Sequence, residues 1–246
     1  MLEPLRQASA AKVEVWLKVP MEEASDRYAV HFRPGIDDGV FFDYMASVLV
    51  LGTLHDLVGP NMVWNILNCL LGAKRWGNWA HVWHRDGMNR YTSPAEEFSI
   101  LMQRQRHAQW NCPLYPADNC LHVIPGSHRR CLTAEEIAIL RTDPNAEMPN
   151  QVVVELRVGE VVYYNHLLLH RGVYVDGLRR ETLHGHIMGV EQEWETPYVW
   201  RGVYPGAELP EYPIPQTTAY VPEHHRLCPA HYRRKDSPAK ARRGNG

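Results

Sequence analysis

The amino-acid sequence predicts a mainly β protein, a sandwich or barrel flanked by helices. Short runs rich in β-branched and aromatic residues follow one another from residue 62 to residue 190, and turn-forming residues such as Pro125-Gly126-Ser127 separate them. Many short strands at fairly even spacing are typical of β-sandwiches and barrels. The chain has 246 residues, of which 45% are hydrophobic and 22% charged, so it is long enough for one domain with a sizeable core.

Two helices are predicted ahead of the strands. Residues 3–17 form the first, and residues 37–59 form the second, which ends at the helix-breaking pair Gly59-Pro60. Residues 132–150 are expected to interrupt the strands with a helix and then a loop. The strands are expected at residues 62–71, 78–84, 98–115 (one long strand or two short ones), 120–126, 152–159, 160–170 and 182–190.

The sequence predicts a single domain over residues 1–231. Within it, residues 1–59 are helical, residues 60–190 form the β core, and residues 191–231 are rich in proline. Because proline cannot donate to a strand ladder, the third segment is expected to wrap the domain or partly cover its mouth. Residues 232–246 form a basic tail that is expected to be disordered.

Composition argues against several classes of partner. The formal net charge is -2, which does not favour nucleic acid or an acidic membrane surface. No run approaches the roughly 18 apolar residues that span a bilayer, and the first residues contain no apolar signal core. The five cysteines contain no C-x-x-C pattern, so neither a disulfide framework nor a structural zinc site is indicated. We expect a cytoplasmic monomer or homodimer.

The first chemical signal is His84-Arg85-Asp86. On a β-strand, residues two apart point to the same face, so the imidazole and the carboxylate lie side by side. They supply two-thirds of the two-His-one-carboxylate facial triad, which holds non-haem Fe(II) and leaves positions open. Taken alone, an H-x-D pattern is more often a chance pair at the surface.

A third ligand has to come from a distant strand that returns beside the first. His170 ends an apolar approach, Leu167-Leu168-Leu169, and Gly172 follows closely. This pattern suits the rim of a strand whose last side chain faces a cavity. Taken alone, it also fits an ordinary histidine of the core or the rim.

Arg180 begins the next run after His170. A guanidinium at this point is suited to clamp a dicarboxylate through two parallel hydrogen bonds. Thr182 lies two residues along, on the same face, and can donate to the same carboxylate. The alternative is that Arg179 and Arg180 form a solvated turn.

Taken together, these pieces resemble the phytanoyl-CoA dioxygenase family of Fe(II)/2-oxoglutarate oxygenases. In that family an H-x-D is followed by a Trp-bearing strand, an N-G-C-L-x-V-x-P-G-S-H segment, a G-D-V-V strand that leads to L-x-H-x-G, and then an Arg. The resemblance covers roughly residues 60 to 190. The matching stretches are His84-Arg85-Asp86, Trp110, residues 119–128 (NCLHVIPGSH), Gly159-Glu160-Val161-Val162, His170-Arg171-Gly172 and Arg180-Glu181-Thr182-Leu183.

The resemblance implies a double-stranded β-helix, a jelly-roll or cupin-like variant, around one iron. It also implies an enzyme that uses Fe(II), 2-oxoglutarate as cosubstrate and O2. The implied iron ligands are His84, Asp86 and His170. The residues implied for 2-oxoglutarate are Arg180, Thr182, Trp110 and, on the strand before the triad, Asn68.

The sequence departs from the family pattern in two places. The family has Gly after the Asn that matches Asn119, whereas Cys120 follows directly here, so the loop must differ. There is also less chain ahead of the first barrel strands than the family usually carries. The chain is therefore expected to be a truncated or compact variant.

Aromatic residues suggest the substrate class. An apolar pocket would favour a hydrophobic small molecule, such as a terpenoid, polyketide or alkaloid natural product, oxidised at an unactivated C–H by hydroxylation, desaturation or rearrangement. The residues expected to line it are Trp83, Met88, Tyr91, Trp194 and Trp200.

Three alternatives stay open. A fatty acyl-CoA 2-hydroxylase of the phytanoyl-CoA type would need a basic groove for the CoA phosphates, which only residues 129–130 and 233–243 offer. A cupin isomerase or dioxygenase would use the same barrel without 2-oxoglutarate. A non-catalytic partner subunit would keep the fold without needing the three ligands.

Overall fold

The computed structural model describes residues 1–20, 27–29, 39–59, 62–72, 77–86, 88, 94–102 and 106–189. The α-helices are α1 (Leu2–Trp16), α2 (Gly39–Ala46), α3 (Thr53–Val58), α4 (Pro94–Met102) and α5 (Ala134–Thr142), with a π-helical turn at Val48–Gly52 and a 3-10 turn at Ser127–Arg129. The strands are β1 (Arg27–Ala29), β2 (Met62–Leu71), β3 (Trp79–Ala80), β4 (His107–Pro113), β5 (Asp118–Val123), β6 (Val152–Leu156), β7 (Val162–Tyr164), β8 (His170–Tyr174) and β9 (Glu181–Gly189).

The strands form two antiparallel sheets. The first has the order β1-β2-β9-β4-β7, and the second has the order β3-β8-β5-β6. Strands that are neighbours in a sheet are mostly far apart in sequence. This connectivity is typical of a jelly roll and not of simple hairpins. These sheets and their flanking helices confirm the predicted mainly β class.

The outer face of the first sheet is covered by the N-terminal helices. Its apolar cluster joins Trp16 of α1 and Phe41 of α2 to Trp110 of β4 and to Leu183 and Ile187 of β9. The Trp110 ring lies across Gly185, where an added Cβ would stand 2.0 Å from the indole. Glycine is therefore required at that point for β4 and β9 to carry the indole between them.

The inner face of the same sheet is polar. Side chains alternate along a strand, so β4 and β9, which turn Trp110, Leu183 and Ile187 outward, turn the residues between them inward. Burying polar groups costs free energy unless they find partners, so a polar row between two sheets indicates a functional interior. The inward and buried residues are His107, Gln109, Asn111, Thr182, His184 and His186, and Asn68 of β2 is paired opposite His184.

Most predicted elements are confirmed with small shifts of their ends. The helix predicted at residues 3–17 is α1, the strand predicted at residues 62–71 is β2, and the excursion at 132–150 contains α5. A capping box explains where α5 begins, since Thr133 Oγ1 accepts from the Glu136 amide and the Glu136 carboxylate accepts from the Thr133 amide.

Several predictions of elements were wrong. The strand predicted at residues 78–84 is limited to β3 (Trp79–Ala80), and the strand predicted at 160–170 is β7 (Val162–Tyr164) followed by a turn, with β8 beginning only at His170. The single helix at residues 37–59 is broken after Ala46 by the π-helical turn, and the part of the strand predicted at 98–115 that falls on 98–102 lies in α4. Pro94 occupies the first helical position of α4, where its fixed φ favours a helix start, and this outweighs the β-type residues that follow. The segment from residue 190 onward lies outside the described residues.

No single helix among the described residues has both the length and the apolar composition to cross a bilayer. The pair Gly39–Ala46 and Val48–Val58, which meet at a bend of 46°, meets these criteria only when the two are taken together.

Candidate metal centre

His84 follows β3, and it pairs with His170 at the start of β8 in the second sheet. They form an antiparallel bridge, in which His84 N donates to His170 O at 3.0 Å and His170 N donates to His84 O at 2.9 Å. Their ring centroids are 4.4 Å apart. The backbone therefore brings together two imidazoles that are distant in sequence.

Asp86 completes a three-residue group. Its Oδ1 is 3.6 Å from His84 Nε2, and its Oδ2 is 3.8 Å from His170 Nε2. The three potential ligand atoms all lie within 4.8 Å of one another. Two imidazole nitrogens and one carboxylate oxygen around a common point form the donor set that non-haem Fe(II) takes as a facial triad.

The ring nitrogens are oriented for metal binding. His84 Nδ1 lies 2.9 Å from Val82 O, and His170 Nδ1 lies 2.7 Å from Leu168 O. A carbonyl oxygen only accepts, so each Nδ1 carries the proton and each Nε2 presents a lone pair. In the neutral form, both histidines thus hold the tautomer in which Nε2 is available as a ligand atom.

The protonation states also suit a cation. Burial works to raise the pKa of Asp86, but the His170 and His84 rings and the Gln109 amide outweigh it and hold that pKa well below its usual range. Burial, together with the nearby His84, lowers the pKa of His170 to about 4. At neutral pH the carboxylate is therefore ionised and the imidazole neutral, which are the forms that bind metal.

Gln109 orients the carboxylate. This β4 side chain is buried, and its Nε2 donates a short hydrogen bond to Asp86 Oδ2. The bond engages one oxygen and leaves Oδ1 for a cation. Gln109 thus acts as an outer partner of the kind that fixes ligand geometry in metal sites.

Arg85 lies between His84 and Asp86 in the H-x-D, and its side chain points away from theirs into the neighbouring turn. Its buried guanidinium donates to Leu167 O and Ser127 O, each at 2.7 Å, and to Arg130 O at 3.1 Å. It also forms an ion pair with Glu97 of α4 at 3.4 Å. Arg85 therefore ties the H-x-D to the turn at 127–130 and to the approach to His170.

Replacing Arg85 by methionine is expected to lower the free energy of unfolding by about 3–5 kcal/mol, because three carbonyls lose their donor and Glu97 loses its cation. Urea denaturation of the metal-free protein measures this change. The exposed Arg129 provides the matched control, since Arg129→Met removes the same charge outside the interior. Equal effects of the two substitutions would contradict the anchoring role.

Buried histidines also make the protein sensitive to acid. Burial is the largest cause that lowers the pKa of His166 and of His186 to about 3 each, beside the value of about 4 for His170. Each folded value lies below the unfolded value, so the unfolded chain takes up protons first as the pH falls. Stability is therefore full above about pH 6.5 and is lost as the pH falls toward 4.

Metal-free protein is accordingly expected to unfold in mild acid. Each of the three histidines lowers the free energy of unfolding by up to about 1.4 kcal/mol per pH unit in this window. Urea denaturation at pH 7.5, 6.5 and 5.5 measures the slope, and His186→Gln is expected to reduce it. A free energy of unfolding that stays constant from pH 7.5 to 5.5 would contradict this expectation.

Arg180 lies in the same interior, and it is already engaged by a carboxylate. Asp118 Oδ2 accepts from Arg180 Nε at 3.1 Å and also accepts a short bond from Thr182 Oγ1, while Asp118 Oδ1 accepts from the Cys120 amide at 2.9 Å. Burial works to raise the pKa of Asp118, but Arg180 and these hydrogen bonds outweigh it and lower that pKa. Asp118 is thus an ionised, fully bonded partner from the opposite sheet.

Two buried donors remain for a ligand. Arg180 Nη1 and Asn68 Nδ2 are buried and have no hydrogen-bond acceptor among the described residues. Unsatisfied buried donors are costly, and a bound anionic or carbonyl ligand would satisfy them. The terminal nitrogens of Arg180 are thus suited to a carboxylate, whereas Thr182 is occupied by Asp118.

Two of the other predicted site residues, Trp110 and Trp83, lie outside this interior. Trp110 lies in the apolar cluster on the outer face of the first sheet. Trp83 is buried against Ile124, Met148 and Leu169, and its indole nitrogen donates to Ala146 O at 2.8 Å. Met88 follows the H-x-D and is half-buried, while Tyr91, Trp194 and Trp200 lie outside the described residues.

Gln109 and Asn111 are absent from the sequence prediction. They share the inward face with His184, and His184 Nδ1 lies 2.8 Å from Asn111 Oδ1. Their alternation with Trp110 and Leu183 was the available signal, once one residue of each strand is known to face inward. Asp118 had no such signal, since its partners lie in another sheet.

Solved structures share this architecture. AviO1 from Streptomyces viridochromogenes Tue57 matches with a TM-score of 0.56 and 17% identity over 78% of this chain and 86% of that chain. EctD from S. alaskensis, in complex with 2-oxoglutarate and 5-hydroxyectoine, matches with a TM-score of 0.58 and 16% identity over 89% and 78%. The fold is a double-stranded β-helix.

A third structure, HygX from Streptomyces hygroscopicus with nickel and 2-oxoglutarate bound, matches with a TM-score of 0.55 and 14% identity over 77% of this chain and 78% of that chain. At these identities the likeness shows the shared fold, and it confirms the predicted double-stranded β-helix. No protein-family model and no curated protein sequence matches the chain.

Proposed function

We propose that this protein is an Fe(II)- and 2-oxoglutarate-dependent oxygenase. The observation that carries the proposal is the convergence of His84, Asp86 and His170 within 4.8 Å, with each histidine Nδ1 bonded to a backbone carbonyl. Three ligands on one side of an ion leave the other positions for cosubstrate and O2. Solved structures of the same fold that contain 2-oxoglutarate with nickel or with 5-hydroxyectoine support this choice of cosubstrate.

The chain's residues hold the cosubstrate at both ends. The triad presents the ion that takes the oxoacid end, and the unpaired Nη1 of Arg180 donates to the distal carboxylate, with Asn68 as a second donor. Asp118 fixes the guanidinium through Nε and so positions its free edge. Thr182 stabilises Asp118 and does not itself contact the cosubstrate.

When bound, Fe(II) and 2-oxoglutarate supply O2 activation and the oxidation of a substrate C–H bond, with release of succinate and CO2. The protein's own contribution is to orient the ligands, to hold the substrate C–H near the ion, and to exclude water. Gln109 and the Val82 and Leu168 carbonyls fix the ligand side chains, so little rearrangement accompanies the reaction.

The substrate proposed is a hydrophobic small molecule, of the natural-product kind. Beside the triad, the Trp79 and Tyr174 rings stack at 4.0 Å with an interplanar angle of 3°, and His81 lies edge-on to Trp79 and 6.1 Å from the His84 ring. A flat aromatic wall of this kind suits an apolar or cyclic ligand.

Incubation with Fe(II), 2-oxoglutarate and a panel of candidate metabolites tests the proposal. We expect at least one compound to trigger succinate release above the uncoupled background, measured by mass spectrometry. His170→Ala is the control that should release none. The oxygenase proposal fails if no compound raises succinate above this control.

A second candidate is a metal-dependent dioxygenase or isomerase that does not use 2-oxoglutarate. One observation favours it: Asp118 already accepts hydrogen bonds from Thr182 Oγ1 and from Arg180 Nε, so these two donors are not left for a cosubstrate carboxylate. The two candidates differ in cosubstrate binding, since only the first requires the metal-loaded protein to bind 2-oxoglutarate. Calorimetry with Ni²⁺ in place of Fe²⁺ separates them without oxygen chemistry.

A further inference from the structure

A second group of histidines lies in the same interior as the triad. His107, His166 and His186 are 6%, 1% and 4% exposed, and their potential ligand atoms all lie within 4.8 Å of one another. None of the three belongs to the motifs that carry the proposed oxygenase function. Their grouping therefore needs a separate explanation.

Strand register brings two of them together. In the β4–β9 pairing, Gln109 is opposite His186, so His107 and His186 are diagonal neighbours on the inward face. His107 Nδ1 and His186 Nε2 are 3.0 Å apart. His166 comes from the segment before β8, where its carbonyl accepts from the Asp86 amide at 2.9 Å. Three different segments thus deliver the three rings.

The rings are packed face to face. The His107 centroid is 4.0 Å from that of His166 and 5.2 Å from that of His186, with interplanar angles of 32° and 21°. Burial is the largest cause that lowers the pKa of His166 and of His186 to about 3 each, so these two imidazoles are neutral near pH 7.

The chemistry of the donors points to one class of ligand. Three imidazole nitrogens without a carboxylate favour Zn²⁺, Cu²⁺ or Ni²⁺ over the oxygen-seeking Mg²⁺, Ca²⁺ and Mn²⁺. An organic anion would require protonated rings in this buried place, which burial opposes. Asp86, whose charge acts on His166 and His186, supplies nearby compensation for a dication.

We propose that His107, His166 and His186 form a second metal site, separate from the triad, which binds one late transition-metal dication such as Zn²⁺. This site goes beyond the proposed oxygenase function and does not depend on it. The chain then holds two metal sites of different character in one barrel, one with a carboxylate ligand and one with nitrogen ligands only.

The test uses the full chain with the triad removed. The His84→Ala/His170→Ala variant, freed of metal by chelation, is titrated with Zn²⁺ against a chromophoric chelator. We expect it to bind one equivalent, whereas the unmodified chain binds two. Adding His186→Gln is expected to weaken the remaining site by about 100-fold or more, since even outer partners of a metal cost 10- to 100-fold.

Two controls make the result decisive. His122→Gln in the same triad-less background removes a half-buried histidine that lies outside both groups and should leave zinc binding unchanged. X-ray absorption of the zinc-loaded triad-less chain should show three imidazole ligands, and this measurement needs no further substitution to fold. Zinc binding that is absent from the triad-less chain, that survives His186→Gln, or that shows fewer than three imidazoles would overturn the proposal.

Discussion

Asp86→Ala is expected to abolish turnover and to weaken Fe(II) binding by at least about 100-fold, because it removes one of three ligands and the only negative charge among them. The remaining histidines would still present their Nε2 atoms, since their Nδ1 bonds to Val82 O and Leu168 O do not involve Asp86. The loss should therefore appear in metal affinity and not in the fold.

Asp176 offers a matched control, because it is an exposed aspartate at the turn that follows β8. Asp176→Ala should leave both Fe(II) affinity and succinate release unchanged. Metal affinity is measured by anaerobic competition with a chelator, and the fold by circular dichroism. If Asp86→Ala bound Fe(II) as tightly as Asp176→Ala, the carboxylate would not be a ligand.

Arg180→Met is expected to weaken 2-oxoglutarate binding by about 100-fold or more, since a buried charged hydrogen bond lost from one partner costs 2–5 kcal/mol or more. It is also expected to lower the free energy of unfolding by about 3–5 kcal/mol, because Asp118 would be left as a buried charge without its cation. These are separate consequences of one substitution, and both need to be measured.

A double substitution separates the two consequences. Arg180→Met/Asp118→Leu removes the buried pair together and should recover much of the lost stability while 2-oxoglutarate binding stays weak. Arg179→Met is the neighbouring control, because that side chain is 60% exposed, hydrogen-bonds to Glu181 and stacks on the Tyr115 ring at 3.5 Å. Recovery of 2-oxoglutarate affinity in the double variant would mean that Arg180 does not contact the cosubstrate.

The convergence of the three proposed metal ligands was predictable only in part. His84 and Asp86 are two residues apart, as a shared face requires, whereas His170 begins β8 and does not end the predicted apolar strand. The partners of these ligands were not predictable. Gln109 and Arg85 act through contacts across the sheets, which no spacing in one segment encodes.

Trp110 is a residue that the resemblance assigned to the site and that the structure places elsewhere. The resemblance implies that it lines the cosubstrate site. Strand alternation instead points Trp110 to the face of the sheet away from Gln109, where it lies in the apolar cluster with α1 and α2. The parity of β4 could be resolved only by knowing that Gly185 of β9 accommodates the indole. The strand predicted over residues 98–102 was wrong because its β-type composition does not show that Pro94 begins a helix ahead of it.

Asp118 shows a contact that the sequence did not predict. The strand register of β5 is irregular between Asp118 and Leu121, beside Asn119, where the sequence lacks the glycine of the family pattern. The consequence for chemistry, a carboxylate bonded to Arg180 and Thr182, emerged only from the packing of the two sheets.

The most direct measurement is anaerobic visible spectroscopy of the protein with Fe(II) and 2-oxoglutarate. If His84, Asp86 and His170 hold iron with open positions and Arg180 receives the distal carboxylate, a weak charge-transfer band should appear that saturates at one Fe(II)–2-oxoglutarate complex per chain. The band should be lost in Asp86→Ala and retained in Asp176→Ala. A protein that gives no band, or gives the same band without Asp86, would contradict the account.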